Sequence, residues 1–580
     1  MLAQLSMWVL AATLGQAPTD TAWLKAVPAD VDVAIRSRGL ESTRDEFAAM
    51  LKAMSPALAE QALPALDAAF AQFKEHYGEG ALRTPWVSLA KLNPGAGGIP
   101  PFAVLVLHDD YQAVLASISK GKAPELKPQD GGYDSFPAPD GNGTWYAVKK
   151  TGFMAFSPDK DLIAAIAKPG EKTLDSVLTP ALRKPFLAGD VGLYVNAAAL
   201  VTRYADQIEA GRQAFMGMLD QAGQQMGNAA SIDAAKTIYG GMFDALKYAD
   251  RLTLDLDFSA DAFDLGGLLA VKADSDLAKG IAAGRPGPAA DLGKLPADAA
   301  IYAYMNLNAA SFSRMQGFAM SMLGPAGKKS PEMEKATAQL KALGRIESVG
   351  SMTMGAGMKG LNQITVSDPK AYIAATLATL TAMKNSEGPL NVYKEIKVEE
   401  NAETYQGLKL THVSAILDPE KLEKLAGNNP AAAQSMKSMF AGNAIHYWFA
   451  TDGKRLYQMT TPTIDEAKAL LDAYLKGDAR IGTKPGFKAV RSRLPETASF
   501  LMLLSAQGMT KMIATQLAAT LNKPDLKTPG DMPTEPALLG FSLTPAPPAG
   551  FEFHLVLPSA VGPVIEKGLV PVFRGIQGGK

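Results

Sequence analysis

The residues of this chain that could do chemistry are its few histidines and its clustered acidic side chains. His108 is followed by Asp109 and Asp110, and such a group of imidazole and carboxylates could bind a metal ion or transfer protons. A similar strand-to-helix corner recurs at Asp368-Pro369, without a histidine. An aspartate before a helix accepts hydrogen bonds from its first free N–H groups, so capping explains both corners, whereas ligation explains only one. We therefore predict a helix cap here and no site.

The other histidines are scattered along the chain. None of them shows HExxH or another metal-ligand spacing, and three of them fall in predicted strands. We interpret them as histidines that are satisfied in the core or at the surface. They are His76, His412, His446 and His554.

Acidic pairs occur at Glu399-Glu400 and at Asp255 with Asp257. Both pairs are expected on solvated faces of loops or strands. A glycosidase needs two carboxylates at a defined distance across its substrate, and spacing in the sequence does not supply that distance. We therefore assign neither pair to catalysis.

Methionine is abundant, with 25 residues, and is concentrated locally at Met352, Met354 and Met358. Thioether sulfur could bind Cu(I), because soft ligands select soft metals. Other methionines recur at helical spacing, where a flexible apolar side chain fills a core, and we favour core filling throughout. These other methionines are Met315, Met322, Met509 and Met512.

Two glycine-rich segments lack the context of a phosphate or dinucleotide site. Gly324–Ser330 has neither the GxxxxGK[ST] spacing nor a strand before it, and Gly95–Gly98 precedes a Pro-Pro pair and not a helix. No GxSxG elbow and no kinase or β-lactamase motif set occurs. The sequence therefore predicts no catalytic, cofactor-binding or metal-binding residue, and no cofactor.

The elements that position these residues follow a repeated pattern, which is clearest at Leu295–Leu323. Pro296 presets a turn, Ile301–Leu307 is a short run of strand formers, and Phe312–Met322 carries apolar residues at helical spacing. We call this turn, strand and helix a head. Diluted counterparts of the head include Val27–Ile35, Val191–Val195 and Leu494–Leu504.

Alternating hairpins follow the heads in the same order in both halves of the chain. Thr144–Phe156 corresponds to Ile445–Thr460, and Leu252–Val271 corresponds to Leu538–Leu557. Repetition of head, hairpin, head and hairpin is what a duplicated domain predicts.

Two helix starts match the capping-box pattern, in which a threonine precedes a glutamate by three residues. Thr43 with Glu46 would begin the helix of the first head, and Thr463 with Glu466 would begin the helix after the third hairpin.

Gly and Pro are concentrated at Gly284–Gly293, which is the best linker candidate. We predict a signal peptide at residues 1–17 and two related α+β domains at residues 18–290 and 291–580. Each domain should contain mainly antiparallel β-sheet with helices packed on one face.

The N-terminal segment indicates export. An apolar run at Leu5–Leu14 is followed by the small residues Gly15 and Ala17, which is typical of a signal peptide, although no Lys or Arg precedes the run. A buried N-terminal helix is the alternative. The run is too short to span a bilayer, so we expect no integral membrane span after signal removal. A periplasmic or cell-envelope location follows, and secretion is also open.

Composition excludes several classes of site and partner. The chain has 580 residues and no cysteine, which removes disulfides, zinc-thiolate and iron-sulfur sites and cysteine nucleophiles. Its 57 basic and 58 acidic residues form no concentrated basic footprint, so we expect no nucleic-acid partner.

The heads at Pro28, Pro296 and Pro495, with hairpins that end in a helix, resemble bacterial exported proteins classified as domains of unknown function, many of which carry repeated LPADxxxY heads behind a signal peptide. The resemblance implies an envelope protein without assigned catalytic residues. We expect a non-catalytic binding or scaffold module whose partner is an envelope protein or an apolar ligand. A lipid carrier with a cup of sheet and helices is the alternative, and a hydrolase with an unrecognised site is the third hypothesis.

Overall fold

The computed structural model describes residues 21–92, 100–108, 110–119, 123–138, 143–226, 236, 239–241, 243–275, 278–279, 281, 284–308, 311, 331–355, 357–385, 391–425, 443–477, 480–520 and 532–572. The predicted signal peptide lies outside these residues. The chain forms two compact units. The first contains the residues up to Ile208, Leu246–Ala278 and Ala546–His554, and the second contains Glu209–Ala245, Lys279–Pro545 and the residues from Leu555 onward.

The strands of the first unit form an antiparallel sheet in the order β4-β5-β6-β7-β3-β2-β1-β8-β9-β10. Their bounds are β1 (Val33–Ser37), β2 (Trp86–Ala90), β3 (Phe102–Val106), β4 (Lys127–Gln129), β5 (Tyr133–Pro137), β6 (Thr144–Lys150), β7 (Phe153–Ser157), β8 (Val191–Val195), β9 (Ala249–Phe258) and β10 (Ala262–Val271).

The strands that lie within the second unit pair in the order β14-β15-β16-β17-β13-β12-β11-β18-β19. Their bounds are β11 (Ile301–Asn308), β12 (Arg345–Gly355), β13 (Gly357–Val366), β14 (Tyr393–Tyr405), β15 (Leu408–Leu417), β16 (Ala444–Thr451), β17 (Arg455–Thr460), β18 (Phe500–Ser505) and β19 (Leu538–Pro545). Strand β20 (Gly550–Pro558) belongs to the first unit up to His554 and to the second from Leu555.

The helices connect the strands. They are α1 (Leu40–Met54), α2 (Pro56–Arg83), α3 (Tyr111–Ile118), α4 (Lys160–Ala167), α5 (Leu174–Val177), α6 (Pro180–Ala188), α7 (Ala197–Arg203), α8 (Ala205–Met226), α9 (Pro331–Ala342), α10 (Pro369–Asn385), α11 (Pro419–Leu425), α12 (Ile464–Lys476), α13 (Pro485–Arg491), α14 (Ala506–Thr520) and α15 (Val561–Val564). Short 3-10 helices span Ala22–Lys25, Ala290–Lys294 and Ile481–Thr483, and a π-helical turn spans Ile565–Leu569.

Helices cover both faces of the sheet in the first unit. Val104 and Leu105 are neighbours on β3, so their side chains point to opposite faces. Val104 packs in a cluster with Leu115 of α3, whereas Leu105 packs in a cluster with Ile163 of α4. Burial of both faces explains why β3 is apolar at every position and does not alternate.

The second unit shows the same arrangement. Ile364 of β13 packs in a cluster with Tyr372 of α10. The adjacent Gln363 points to the other face, where its Oε1 accepts a hydrogen bond of 2.6 Å from the hydroxyl of Tyr474 in α12. The predicted mixed α+β fold with mainly antiparallel strands is therefore confirmed. The prediction of helices on one face is wrong, because α3 and α4 pack on opposite faces in the first unit, as do α10 and α12 in the second.

Local signals located most of the predicted elements. The predicted hairpins match β6-β7, β9-β10, β16-β17 and β19-β20, and Thr463 caps α12 by accepting a hydrogen bond from the N–H of Glu466. The cap predicted at Thr43 is wrong. Helix α1 begins at Leu40, so Thr43 lies inside the helix, where its side chain is buried. Strands β2, β4, β5, β12 and β14 and the long helix α2 were not predicted.

Among the helices of the described ranges, none is long and apolar enough to cross a bilayer.

Candidate functional site

The corner at His108 is a helix cap, as predicted. Asp110 accepts a hydrogen bond of 3.0 Å from the N–H of Ala113 in the first turn of α3, and its own N–H donates to His108 Nδ1 at 2.9 Å. Asp368 caps α10 in the same way through the N–H of Ala371. Asp109 lies outside the described residues. The side chains of His108, Asp110 and Asp368 therefore accept hydrogen bonds from backbone N–H groups, which is the role of a helix cap.

The acidic pair on β9, Asp255 and Asp257, was predicted to be solvated. Both side chains are half-buried instead. Asp255 lies opposite Gly192 on one side and Gly266 on the other, and burial raises the pKa of its carboxyl group, with His554 acting in the opposite direction. A Cβ atom on Gly266 would lie 2.4 Å from the Asp255 carboxylate, so glycine at this position makes room for the acid.

A buried arginine lies near Asp255 of this pair. Arg36 of β1 is 2% exposed, and its guanidinium donates to the carbonyl oxygens of Phe186 and Gly189 at the end of α6. Burial lowers the pKa of Arg36 to about 10. Cations favour the C-terminal ends of helices, where carbonyl groups lack partners, so Arg36 anchors α6 and has a structural role.

Two of the scattered histidines meet in the second unit. His412 on β15 and His446 on β16 are 34 residues apart in the chain, and their Nε2 and Nδ1 atoms are 3.0 Å apart. Glu399 on β14 lies opposite His412, and its Oε2 is 3.4 Å from His412 Nδ1. We call Glu399, His412 and His446 the relay. The sequence analysis treated the two histidines as scattered residues and Glu399 as half of an acidic pair. The sheet register brings the three side chains together.

The two imidazole rings meet edge to edge. Their planes differ by 15°, and their centroids are 5.3 Å apart, which is the nitrogen-to-nitrogen distance plus the two ring radii. Both nitrogens therefore lie on the line between the rings. An ion between them would be closer to each nitrogen than the ~2.0–2.1 Å of a Zn–N bond, so this geometry suits a shared proton and not a bridging metal.

The carboxylate determines which nitrogens carry hydrogen. An ionised glutamate only accepts, so the Nδ1 of His412 must be its donor, and the Nε2 of neutral His412 is then an acceptor. The Nδ1 of His446 must therefore donate to His412. This tautomer leaves the Nε2 of His446 with a free lone pair at the end of the relay.

An indole ring supports the relay from one side. Trp448 stacks on the His412 ring with centroids 3.9 Å apart and planes inclined by 10°. Trp448 is 8% exposed, and its Nε1 is buried without a hydrogen-bond partner in the part of the chain that the structure describes. The His412 side chain is 14% exposed and that of Glu399 is 63% exposed, so the relay runs from the interior to solvent.

The relay shares its sheet face with helix α12. Residues that pair across neighbouring strands point to the same face of the sheet. Successive pairs lead from the relay to β13: His412 with Trp448, Trp448 with Met459, and Met459 with Leu361. Leu361 points to the same face as Gln363, which contacts Tyr474 of α12. Burial lowers the pKa of His446, and the charge of the neighbouring imidazole lowers it further.

The other residues considered from the sequence lie either in a core or outside the described residues. Met358 packs against the core cluster of α10, as expected for a core filler. Gly95–Gly98, Gly324–Ser330 and Met315 lie outside the described residues. Within the described ranges, no three histidine, aspartate or glutamate side chains are grouped to hold a metal ion.

A groove of about 660 Å³ also opens in the second unit, between Ala289 and helix α13. Its arginine, Arg491, donates to backbone carbonyl oxygens, including those of Pro495 at 2.8 Å and Glu496 at 2.7 Å. The guanidinium is therefore engaged by the chain itself and is not presented to a ligand.

The fold defines a mixed α+β protein of mainly antiparallel strands. Comparison of the chain with protein-family models, with curated proteins and with solved structures gave no match. The candidate site therefore depends on its geometry alone. No sequence motif marks it, and the signal that could have identified it is the alternation that places Glu399, His412 and His446 on one face of three consecutive strands.

Proposed function

We propose that this protein is an exported, non-catalytic binding or scaffold protein that arose by duplication of one α+β domain. The observation that carries the proposal is the strand order. Numbered from its own first strand, each unit arranges its first nine strands in the order 4-5-6-7-3-2-1-8-9. So many shared crossovers are difficult to reach independently, and the resemblance to exported repeat proteins is consistent with them.

The second unit differs from the first where the relay lies. Strands β14, β15 and β16 have 13, 10 and 8 residues, whereas their counterparts β4, β5 and β6 have 3, 5 and 7. We call the longer strands the strand extension. A duplicated scaffold does not need this extension, so we assign binding of an envelope protein or an apolar ligand to it.

Side chains on the extension are polar and exposed toward its edge. Lys397 and Glu395 form an exposed ion pair of 3.6 Å on β14, and Val398 beside them is 43% exposed. Edge strands with charged side chains resist unspecific pairing, so a partner must match this pattern of charges.

Native mass spectrometry of the protein purified from its own envelope fraction tests the proposal. We expect a chain that lacks residues 1–17 and carries bound mass. Glu399→Gln should weaken the bound species, because Glu399 holds the relay, whereas Glu400→Gln makes the same chemical change on the next residue and should leave it intact.

Other outcomes would overturn parts of the proposal. An uncleaved chain in the cytoplasm would refute export. Absence of bound mass would refute a binding role, and bound lipid that is insensitive to Glu399→Gln would move the ligand site away from the extension. Turnover of an ester or glycoside substrate that is lost in His446→Gln would replace binding by catalysis.

A further inference from the structure

We propose that the relay is an acid-sensitive latch, which holds strands β15 and β16 of the extension together at neutral pH and releases them when both imidazoles are protonated. The latch regulates the site to which we assign binding, and its consequence for a ligand rests on that proposed function. The proton chemistry of the latch can be measured without any ligand.

The first proton leaves the latch closed. A proton from solvent adds to the free Nε2 of His446, and the proton on its Nδ1 can then move to the Nε2 of His412. The charge now lies on His412, between the Glu399 carboxylate and the face of Trp448. The carboxylate and the indole ring flank the charge at this position, and one N–H still points at one lone pair.

The second proton breaks the latch. With both rings charged, each of the two nitrogens that are 3.0 Å apart carries a hydrogen, so two N–H groups face each other. Two like charges at this distance repel, and the hydrogen bond between β15 and β16 side chains is lost. The rings must then separate, which exposes the stacked face of Trp448.

The other charged groups near the relay do not remove this repulsion. Strand β14 presents Glu399 to His412, and it presents Lys397 opposite Ser414, which in turn lies opposite His446. Lys397 is positive and adds to the repulsion. Helix α12 contributes an ion pair between Lys468 and Glu403 further along β14, where the acid is already neutralised.

Geometry also explains why a latch is preferred to other roles. The Nδ1–H of His446 points at the Nε2 lone pair of His412, so the two nitrogens do not converge on a common ion position. The arrangement places one shared proton in a hydrogen bond between the two strands, and this hydrogen bond depends on pH.

Histidine titration by NMR tests the latch in the full chain, with only the Cε1 positions of the five histidines labelled with ¹³C. We expect His446 to titrate below the ordinary histidine range. In His412→Gln, the His446 midpoint should rise by about 1 pH unit, which is the size at which coupled sites titrate as a pair. His554→Gln is the control, because His554 has its own partner, Glu552, in the first unit.

Opening is measured in the same pH range by hydrogen–deuterium exchange. Exchange of β15 and β16 amides, normalised to β8 and β9 amides in the same sample, should increase below pH 6 in the natural chain and not in His446→Gln. An unchanged His446 midpoint in His412→Gln would overturn the shared proton. Coupled titration without enhanced exchange would overturn the release of the strands.

The two proposals fail separately. Coupled titration in a protein without bound mass leaves the latch and refutes the binding role. Bound mass in a protein whose histidines titrate independently leaves the binding role and refutes the latch. Should His412→Gln fail to fold, the exchange of β15 and β16 amides in the natural chain and in His446→Gln decides, because that comparison leaves His412 unchanged.

Discussion

Replacement of Arg36 by methionine is expected to destabilise the first unit strongly. Methionine preserves the length of the side chain and its packing, but it removes the donors that satisfy the carbonyl oxygens of Phe186 and Gly189. Both residues are buried, so water cannot replace the arginine. The effect therefore tests whether Arg36 anchors helix α6 or only fills space.

The magnitude follows from the two acceptors. Each buried acceptor without a partner costs about 1–3 kcal/mol, and the charge that no longer has to be buried returns part of this cost. We expect a net loss of about 3 kcal/mol. For a unit of this size, that loss lowers Tm by roughly 6–12 °C.

Calorimetry of the full chain measures this shift, and hydrogen exchange of α6 peptides identifies the transition of the first unit. Arg44→Met is the matched control. Arg44 forms an ion pair with Asp45 at the surface of α1, and exposed pairs contribute below about 1 kcal/mol. If Arg36→Met stays within about 1 kcal/mol of the natural chain, the anchoring role is refuted.

Three further predictions concern packing, pH and a buried hydrogen bond. Gly192→Ala should destabilise the fold by about 1–3 kcal/mol in thermal unfolding, because the new Cβ would lie 1.9 Å from a backbone oxygen of α6. Gly211 on α8 has open space around it, so Gly211→Ala should stabilise the fold by roughly 0.5–1 kcal/mol. The pKa of His446 is lowered in the fold, so the unfolded chain binds more protons than the folded chain below about pH 6.5. The free energy of unfolding measured by urea titration should therefore fall as the pH decreases from that value. The fall should be smaller in His446→Gln. Tyr474→Phe should cost about 1–2 kcal/mol by leaving Gln363 without its buried donor, and an unchanged urea midpoint would contradict this.

The sequence by itself determined the elements whose causes are local. Asp110 and Asp368 precede helices and cap them, Thr463 does the same, and alternating residues formed the predicted hairpins. Each of these signals acts over a few residues, so it survives in any tertiary context. The cap predicted at Thr43 failed because an earlier start at Leu40 buried that threonine inside the helix.

Only the tertiary structure decided which faces are buried and which polar groups meet. Each of β3 and β13 is covered on one face by the helix that follows it directly and on the other by a helix further along the chain, so both strands lose simple alternation. Arg36 meets its acceptors 150 and 153 residues later, and His412 meets His446 across a strand register. Such contacts are set by strand order, which depends on the free energy of the whole core and leaves no local pattern in the sequence.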